Sequence, residues 1–457
     1  MKKIVNFISW LFIITSFIVL ICTIIKLRIY DLTNLNDFQI KYFIFFSLIF
    51  ICSIIIYFLN IEIKTKFFLM SSSILFSLFL LEVSLTYLNY TNSAKYHAKI
   101  SGDNFDERSR YEYYLELKKE HNDIIISIPP FIVHREYFKD KLKIKNLPLS
   151  GISKSKTVFC NESGYFVDYF SDRYGFNNPD QEWNKNKQIL FLGDSYLHGV
   201  CVFEKDTITG NLRSKISNKN YGVINLGQRG NGPLSEYAGL VEYSKNINPE
   251  IILWLYYEGN DLKNLKYEKK IDILNNYLIL DNFSQDLINK QLYLDKLLEK
   301  ILINRLEFEK KTFYYIKNNK FLTTLKLHNF RKFISKINFK NKAEINYKKE
   351  IEDFKVLLER ASSFAKKKDA KFLFVYIPSY KRINKKNSLD EKLFNYKEII
   401  EIIEDLNIPY IDLNMELLQK TKDPLVYYPY GLPKHFNEEG YKSISNIIFK
   451  KINNYIN

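Results

Sequence analysis

Apolar residues fall into two regimes along this chain. The first three runs, Ile4 to Ile25, Tyr42 to Leu59 and Phe67 to Leu88, are predominantly apolar, and each approaches the ~20 residues that cross a hydrocarbon core. They predict a membrane anchor of three transmembrane helices over residues 1–90. The first run lacks a small-residue cleavage site and two more follow it, which argues against a cleaved signal peptide. Glu82 interrupts the third run near its end, where it is expected to reach the interface or to face a neighbouring helix. Lys2, Lys3, Lys64 and Lys66 outweigh Lys26, Arg28 and Lys41 in the remaining loop. That bias favours an internal N-terminus and puts everything after Tyr90 on the extracytoplasmic side.

The second regime begins after a polar, tyrosine-rich stretch over residues 91–187, read as a linker and accessory cap with helical periodicity only around Arg108 to Glu120. Within it, Lys156 to Cys160 and Tyr165 to Phe170 flank Asn161, Glu162, Ser163 and Gly164. That is hairpin chemistry, with glycine where positive φ is tolerated. From residue 188 to 457 short apolar runs alternate with longer helical segments, as in parallel strands joined by crossover helices. The strands read as Ile189 to Leu192, Gly222 to Asn225, Ile251 to Tyr256, Lys371 to Ile377 and Tyr410 to Leu413, which predicts an α/β, doubly wound parallel sheet. Residues 262–343 are too many for one crossover. Their helical periodicity predicts an insertion above the carboxyl ends of the strands, where ligands bind in such folds.

Charge changes this picture little. The 457 residues carry a net charge of +16, but the lysines are scattered among Asn, Ile and Tyr, with no arginine-rich stripe and no nucleic-acid-binding signature. No nucleic acid is therefore expected as a partner. A positive skew suits a domain held near anionic headgroups, where each nearby lysine is worth about 1 kcal/mol. Cys and His do not fall at ligand spacing, so neither a metal nor another cofactor is expected.

The chemistry is concentrated after the predicted strands. The first ends in Gly193, Asp194 and Ser195 and runs into a helix, which places the Ser195 hydroxyl at a helix N-terminus, where backbone N–H groups favour a developing anion. Helix capping alone would also use Asp194 or Ser195. After the second strand, Gly227, Gln228, Arg229, Gly230, Asn231 and Gly232 form a loop in which the bare Gly230 backbone can approach a substrate oxygen. Pro233 and the glycine spacing exclude a dinucleotide loop. After the third strand Asn260 offers a side-chain N–H donor, or makes an Asx turn. After the fifth come Gly431, Leu432, Pro433, Lys434 and His435. Of the six histidines only His435 lies in the segment before the final helix. His198, one turn past Ser195, reads as structural or as pocket lining.

These four ordered blocks resemble the SGNH hydrolases, also called GDSL esterases and lipases, from about Ile189 to the C-terminus. The resemblance implies a flavodoxin-like sheet, Ser195 as nucleophile and His435 as general base. It also implies an oxyanion hole of the Ser195 N–H, the Gly230 N–H and the Asn260 amide. One position departs from the pattern. The family's Asp three residues before the His is Leu432 here, so another acceptor, a backbone carbonyl, Asp423 or Glu438, is expected to orient the imidazole. The implied activity is ester hydrolysis or O-acyl transfer through an acyl-enzyme. SGNH domains joined to membrane segments are linked to acyl decoration of surface polysaccharide, so the implied partners are an ester or acylated carbohydrate and the lipid bilayer. Leu432 also admits a second class, an inactive SGNH domain serving as a binding module in a membrane-bound polysaccharide complex. Finally, Cys22 and Cys52 lie in predicted membrane helices, which leaves Cys160 and Cys201 as a candidate disulfide in a domain placed outside the cytoplasm.

Overall fold

The computed structural model describes residues 2–29, 37–121, 123–139, 144–340, 347–384 and 395–456. The chain divides into two compact units, residues 1–87 with 321–340, and residues 88–320 with 341–457.

The first unit contains α1 (Lys2–Ile29), α2 (Asp37–Phe58) and most of α3 (Ile61–Thr91), on the three apolar runs. All three are long and apolar enough to cross a membrane. Many of their large apolar side chains, Phe7, Phe45, Leu75 and Phe76 among them, are exposed, the arrangement a lipid solvent permits. Ser16 Oγ lies 2.9 Å from Ser53 Oγ, joining α1 to α2. The unit also takes in the helix His328–Lys340. The predicted insertion therefore does not lie wholly above the sheet, because its residues 321–340 belong with the apolar helices.

The second unit begins with a cap. Strands β1 (Ile125–Ile126), β2 (Lys156–Cys160) and β3 (Val167–Phe170) form a small sheet in that order, β2 and β3 as the expected antiparallel hairpin. The helix expected around residues 108–120 spans Arg110–Leu117 and starts at a capping box of Ser109 and Glu112. Two others, Ala94–Ser101 and Pro130–Lys139, escape the sequence reading.

The main sheet comprises β4 (Lys187–Leu192), β5 (Tyr221–Asn225), β6 (Pro249–Tyr257), β7 (Lys371–Ile377) and β8 (Tyr410–Asp412). All are parallel, in the order β5-β4-β6-β7-β8. Its strands are apolar on both faces because helices cover both. Leu190, Leu192, Trp254, Tyr256 and Phe374 face one layer, filled by Leu234 and Leu240 from Pro233–Tyr243 and by Phe354 and Leu358 from Lys348–Lys367. Ile189, Phe191, Leu253, Val375 and Ile411 face the other, filled by Leu212 of Ile208–Lys215 and by Ile444 and Ile448 of Glu438–Ile452. The start of the insertion joins the first layer rather than lying over the strand ends: Leu265, Leu274 and Tyr277 are buried in it. They are apolar at helical spacing, so burial against the sheet wins over projection above it. From β4 the chain steps to β5 on one side and from β5 crosses back past β4 to β6 on the other. That reversal opens a crevice at the carboxyl ends of β4 and β6, where α/β sheets bind ligands.

Candidate active site

The crevice is built by the turn after β4. At Gly193 a Cβ would lie 2.9 Å from Leu197 Cβ and 3.1 Å from the Leu255 carbonyl oxygen, so the chain can turn sharply only with glycine there. Asp194 caps the short helix Ser195–His198, its carboxylate accepting the Tyr196 N–H at 2.9 Å. Asp194 is thus the cap, and the Ser195 side chain is not used for capping.

Ser195 Oγ lies 3.0 Å from His435 Nε2, within the range of proton transfer. It also lies 3.0 Å from Asp194 Oδ2. The single hydroxyl proton can serve only one of these acceptors at a time.

On the far side of the ring, Glu162 takes the place that Leu432 leaves empty. Its carboxylate oxygens stand 3.2 and 3.1 Å from His435 Nδ1, and one of them accepts the His435 backbone N–H at 2.9 Å. The expectation that Asp423, Glu438 or a carbonyl orients the imidazole is corrected: Asp423 caps Leu425, and Glu438 opens the last helix. Burial pushes the Glu162 carboxyl up. The hydrogen bonds and charge of His435, with Lys434, outweigh that and hold it at about 2, against an ordinary 4.5. An ionised Glu162 keeps a proton on Nδ1 and leaves the Nε2 lone pair facing Ser195.

Glu162 comes from the β2–β3 turn. Asn161 Oδ1 accepts the Gly164 N–H at 2.9 Å, and the Tyr430 hydroxyl donates to the Ser163 carbonyl at 3.1 Å. Gly164 has φ +98°. Two residues before Glu162, Cys160 forms a disulfide with Cys201, their Cα atoms 5.2 Å apart. The covalent link thus joins the strand leading to Glu162 to the loop six residues after Ser195.

The remaining predicted residues sit on neighbouring strand ends. Gly230 follows β5 with φ +90°, and an added Cβ would meet only Phe131, at 3.7 Å. The loop is pinned on both sides of it: the Arg229 N–H donates to His198 Nδ1 at 3.1 Å, and the Gly232 N–H donates to Glu268 at 2.7 Å. Burial, then the charges of Arg229 and His435, push His198 down to about 3. A neutral ring with its Nδ1 lone pair on Arg229 and its Nε2 3.3 Å from the Tyr169 hydroxyl is the result. His198 is structural, as its place in the sequence suggested. Asn260 precedes the helix Asp261–Glu268 without capping it, and its buried Oδ1 has no partner among the described residues. No cluster of three or more His, Cys, Asp or Glu able to hold a metal ion occurs among the described residues.

Ser195, His435 and Glu162 thus form one hydrogen-bonded chain at the carboxyl edge of a doubly wound sheet. No protein-family model matches the chain, and no curated protein does. Solved structures similar to it include the acetyl xylan esterase AlAXEase, with 14% identity over 58% of this chain and 99% of that one, at a TM-score of 0.33. The lipase/acylhydrolase from Enterococcus faecalis has 14% identity over 59% and 97%, with TM-score 0.32. A lipolytic protein of the G-D-S-L family from Desulfitobacterium hafniense has 10% identity over 58% and 98%, with TM-score 0.31.

Proposed function

We propose that this protein is a membrane-anchored serine ester hydrolase or O-acyltransferase. The observation that carries the reading is the unbroken chain Ser195 Oγ, His435 Nε2, His435 Nδ1 and Glu162, with contacts of 3.0 and 3.1 Å. His435 Nε2 takes the Ser195 proton as Oγ attacks the ester carbonyl, and Glu162 stabilises the imidazolium that forms. The oxyanion is held by the Ser195 and Gly230 N–H groups and the Asn260 amide. The C–O bond to the leaving alcohol breaks, that oxygen takes the proton from His435, and an acyl-enzyme remains on Ser195. Water then returns the acid, and a sugar hydroxyl instead carries the acyl group away.

The Glu162 carboxylate on His435 Nδ1, which supplies the acceptor that Leu432 lacks, favours an enzyme over an inactive binding module. A cavity of 390 Å³ with Gly230 in its wall is also lined by Phe131, His134, Arg135, Phe138 and Tyr267. Aromatic rings interleaved with polar groups suit a carbohydrate, in keeping with an acylated surface polysaccharide as substrate. The three apolar helices provide the anchor, and the Cys160–Cys201 bridge fits an oxidising, extracytoplasmic compartment.

A fluorophosphonate probe on the full chain in detergent tests this. The wild type should be labelled on Ser195 and Ser195→Ala should not. Equal labelling of both, or none of either by a protein that binds acylated glycan, would overturn the enzymatic reading.

A further inference from the structure

One carboxylate lies outside this chemistry in an unusual setting. Glu82, on the apolar helix α3, is 1% exposed. A carboxylate on an apolar helix is costly unless its oxygens are paired. Here both oxygens are used: the Asn329 N–H and side-chain amide donate to Oε1 at 2.9 and 3.1 Å, and the Phe330 N–H donates to Oε2 at 2.7 Å. Asn329 also donates to Thr86 at 2.9 Å. Glu82 thus satisfies the first free N–H groups of the helix His328–Lys340, within the same compact unit.

That helix is amphipathic. Phe330, Phe333 and Ile334 fall on one stripe at helical spacing, and Arg331, Lys332 and Ser335 occupy positions on the opposite arc. Phe333 and Ile334 remain 44% and 39% exposed. Glu82 lies six residues, about 9 Å, before Leu88 at the end of the apolar run. That depth matches the 5–10 Å at which amphipathic helices sink into the headgroup boundary.

We propose that His328–Lys340 is an interfacial helix, lying in the plane of the bilayer with its apolar stripe on the acyl chains and its lysine and arginine positions among anionic headgroups. Glu82 clamps it to α3. This rests on α1–α3 spanning the membrane. Two observations select lipid as the occupant: Glu82 fastens the helix to α3, whose Leu75, Phe76 and Leu80 are exposed, and Arg331 and Lys332 lie on the arc opposite its apolar stripe. Since residues 321–340 leave the second unit and return to it, the catalytic unit is tied to the membrane by three chain connections rather than one.

The test uses the full chain with Cys22→Ser and Cys52→Ser, the Cys160–Cys201 bridge intact, and an NBD fluorophore on Phe333→Cys or Lys332→Cys. The protein is reconstituted into phosphatidylcholine–phosphatidylglycerol vesicles containing lipid with a shallow acyl-chain nitroxide. A parallel protein keeps Cys52, which is exposed on α2, as the labelled site. NBD at 333 should be blue-shifted and quenched at least threefold more than at 332. Glu82→Leu should at least halve that quenching, as should omission of phosphatidylglycerol. Water-like emission at 333 with quenching at Cys52 overturns the interfacial helix alone. Absence of quenching at Cys52 overturns the anchor itself. A blue shift at 333 without nitroxide quenching assigns the stripe to protein instead of lipid and refutes the proposal. Failure of Glu82→Leu to change the signal removes the clamp.

Discussion

Replacing Glu162 by Gln tests the site most severely, because it changes one heavy atom and leaves the shape. In the native arrangement both carboxylate oxygens lie within 3.2 Å of His435 Nδ1, and one also accepts the His435 backbone N–H. An amide keeps one acceptor and turns the other position into a donor. Presented to Nδ1, that donor moves the imidazole proton to Nε2, where it faces Ser195 and removes the lone pair needed for proton abstraction. Loss of the equivalent carboxylate in a serine protease costs about 10⁴ in rate, equivalent to about 5 kcal/mol of barrier. Hydrolysis of p-nitrophenyl acetate by Glu162→Gln should therefore show kcat lower by 10³ to 10⁴, with KM within about threefold, since Glu162 does not line the cavity beside Gly230. Glu162→Asp keeps the charge on a shorter stem and should recover part of the loss, to within about 100-fold of wild type. Leu432→Asp in the native background should gain nothing, because Nδ1 is already occupied. A Glu162→Gln enzyme within tenfold of wild type, or a large gain from Leu432→Asp, would refute the assignment of Glu162 as the residue that positions His435.

Other outcomes follow from the same geometry. Cys160→Ser should destabilise the catalytic unit by about 4 kcal/mol, for a bridge spanning 41 residues, and should lower kcat more than KM because Glu162 is two residues away; an unchanged melting temperature with full activity would sink this. Gly230→Ala would place its Cβ in ordinary contact with Phe131 but keeps a φ of +90° at a cost of about 1–2 kcal/mol, so the loop should relax and re-aim the N–H, with kcat falling about 10- to 100-fold. A variant at wild-type rate would remove Gly230 from the oxyanion hole. Because the Glu162 carboxyl is depressed from 4.5 to about 2 on folding, it stabilises by about 3 kcal/mol above pH 5, and this is lost as the pH falls towards 2. Unfolding midpoints should accordingly drop more steeply between pH 5 and 3 for wild type than for Glu162→Gln; parallel curves would contradict the depressed carboxyl.

The sequence alone determined what depends on local pattern. Uniformly apolar runs of near-membrane length specified α1, α2 and α3, and short buried runs specified all five parallel strands, their ends off by at most two residues. Blocks following those strands singled out Ser195, Gly230, Asn260 and His435, because a parallel sheet collects its carboxyl ends on one edge whatever the intervening loops do. Leu432 even announced that something was missing. What filled the gap was decided by tertiary structure: Glu162 lies 273 residues before His435, and no periodicity or spacing joins a hairpin turn to a loop so distant. The one available hint was covalent. A Cys160–Cys201 bridge would bring that hairpin beside Ser195, and Glu162 is the carboxylate in its turn. The fate of the insertion was likewise not local. Its helices were legible from their period, but which surface each covers depends on partners elsewhere. Leu265, Leu274 and Tyr277 go to the sheet because an apolar layer is there to receive them. His328–Lys340 goes to the apolar helices because Glu82, buried on α3, needs the N–H groups that a helix start leaves free.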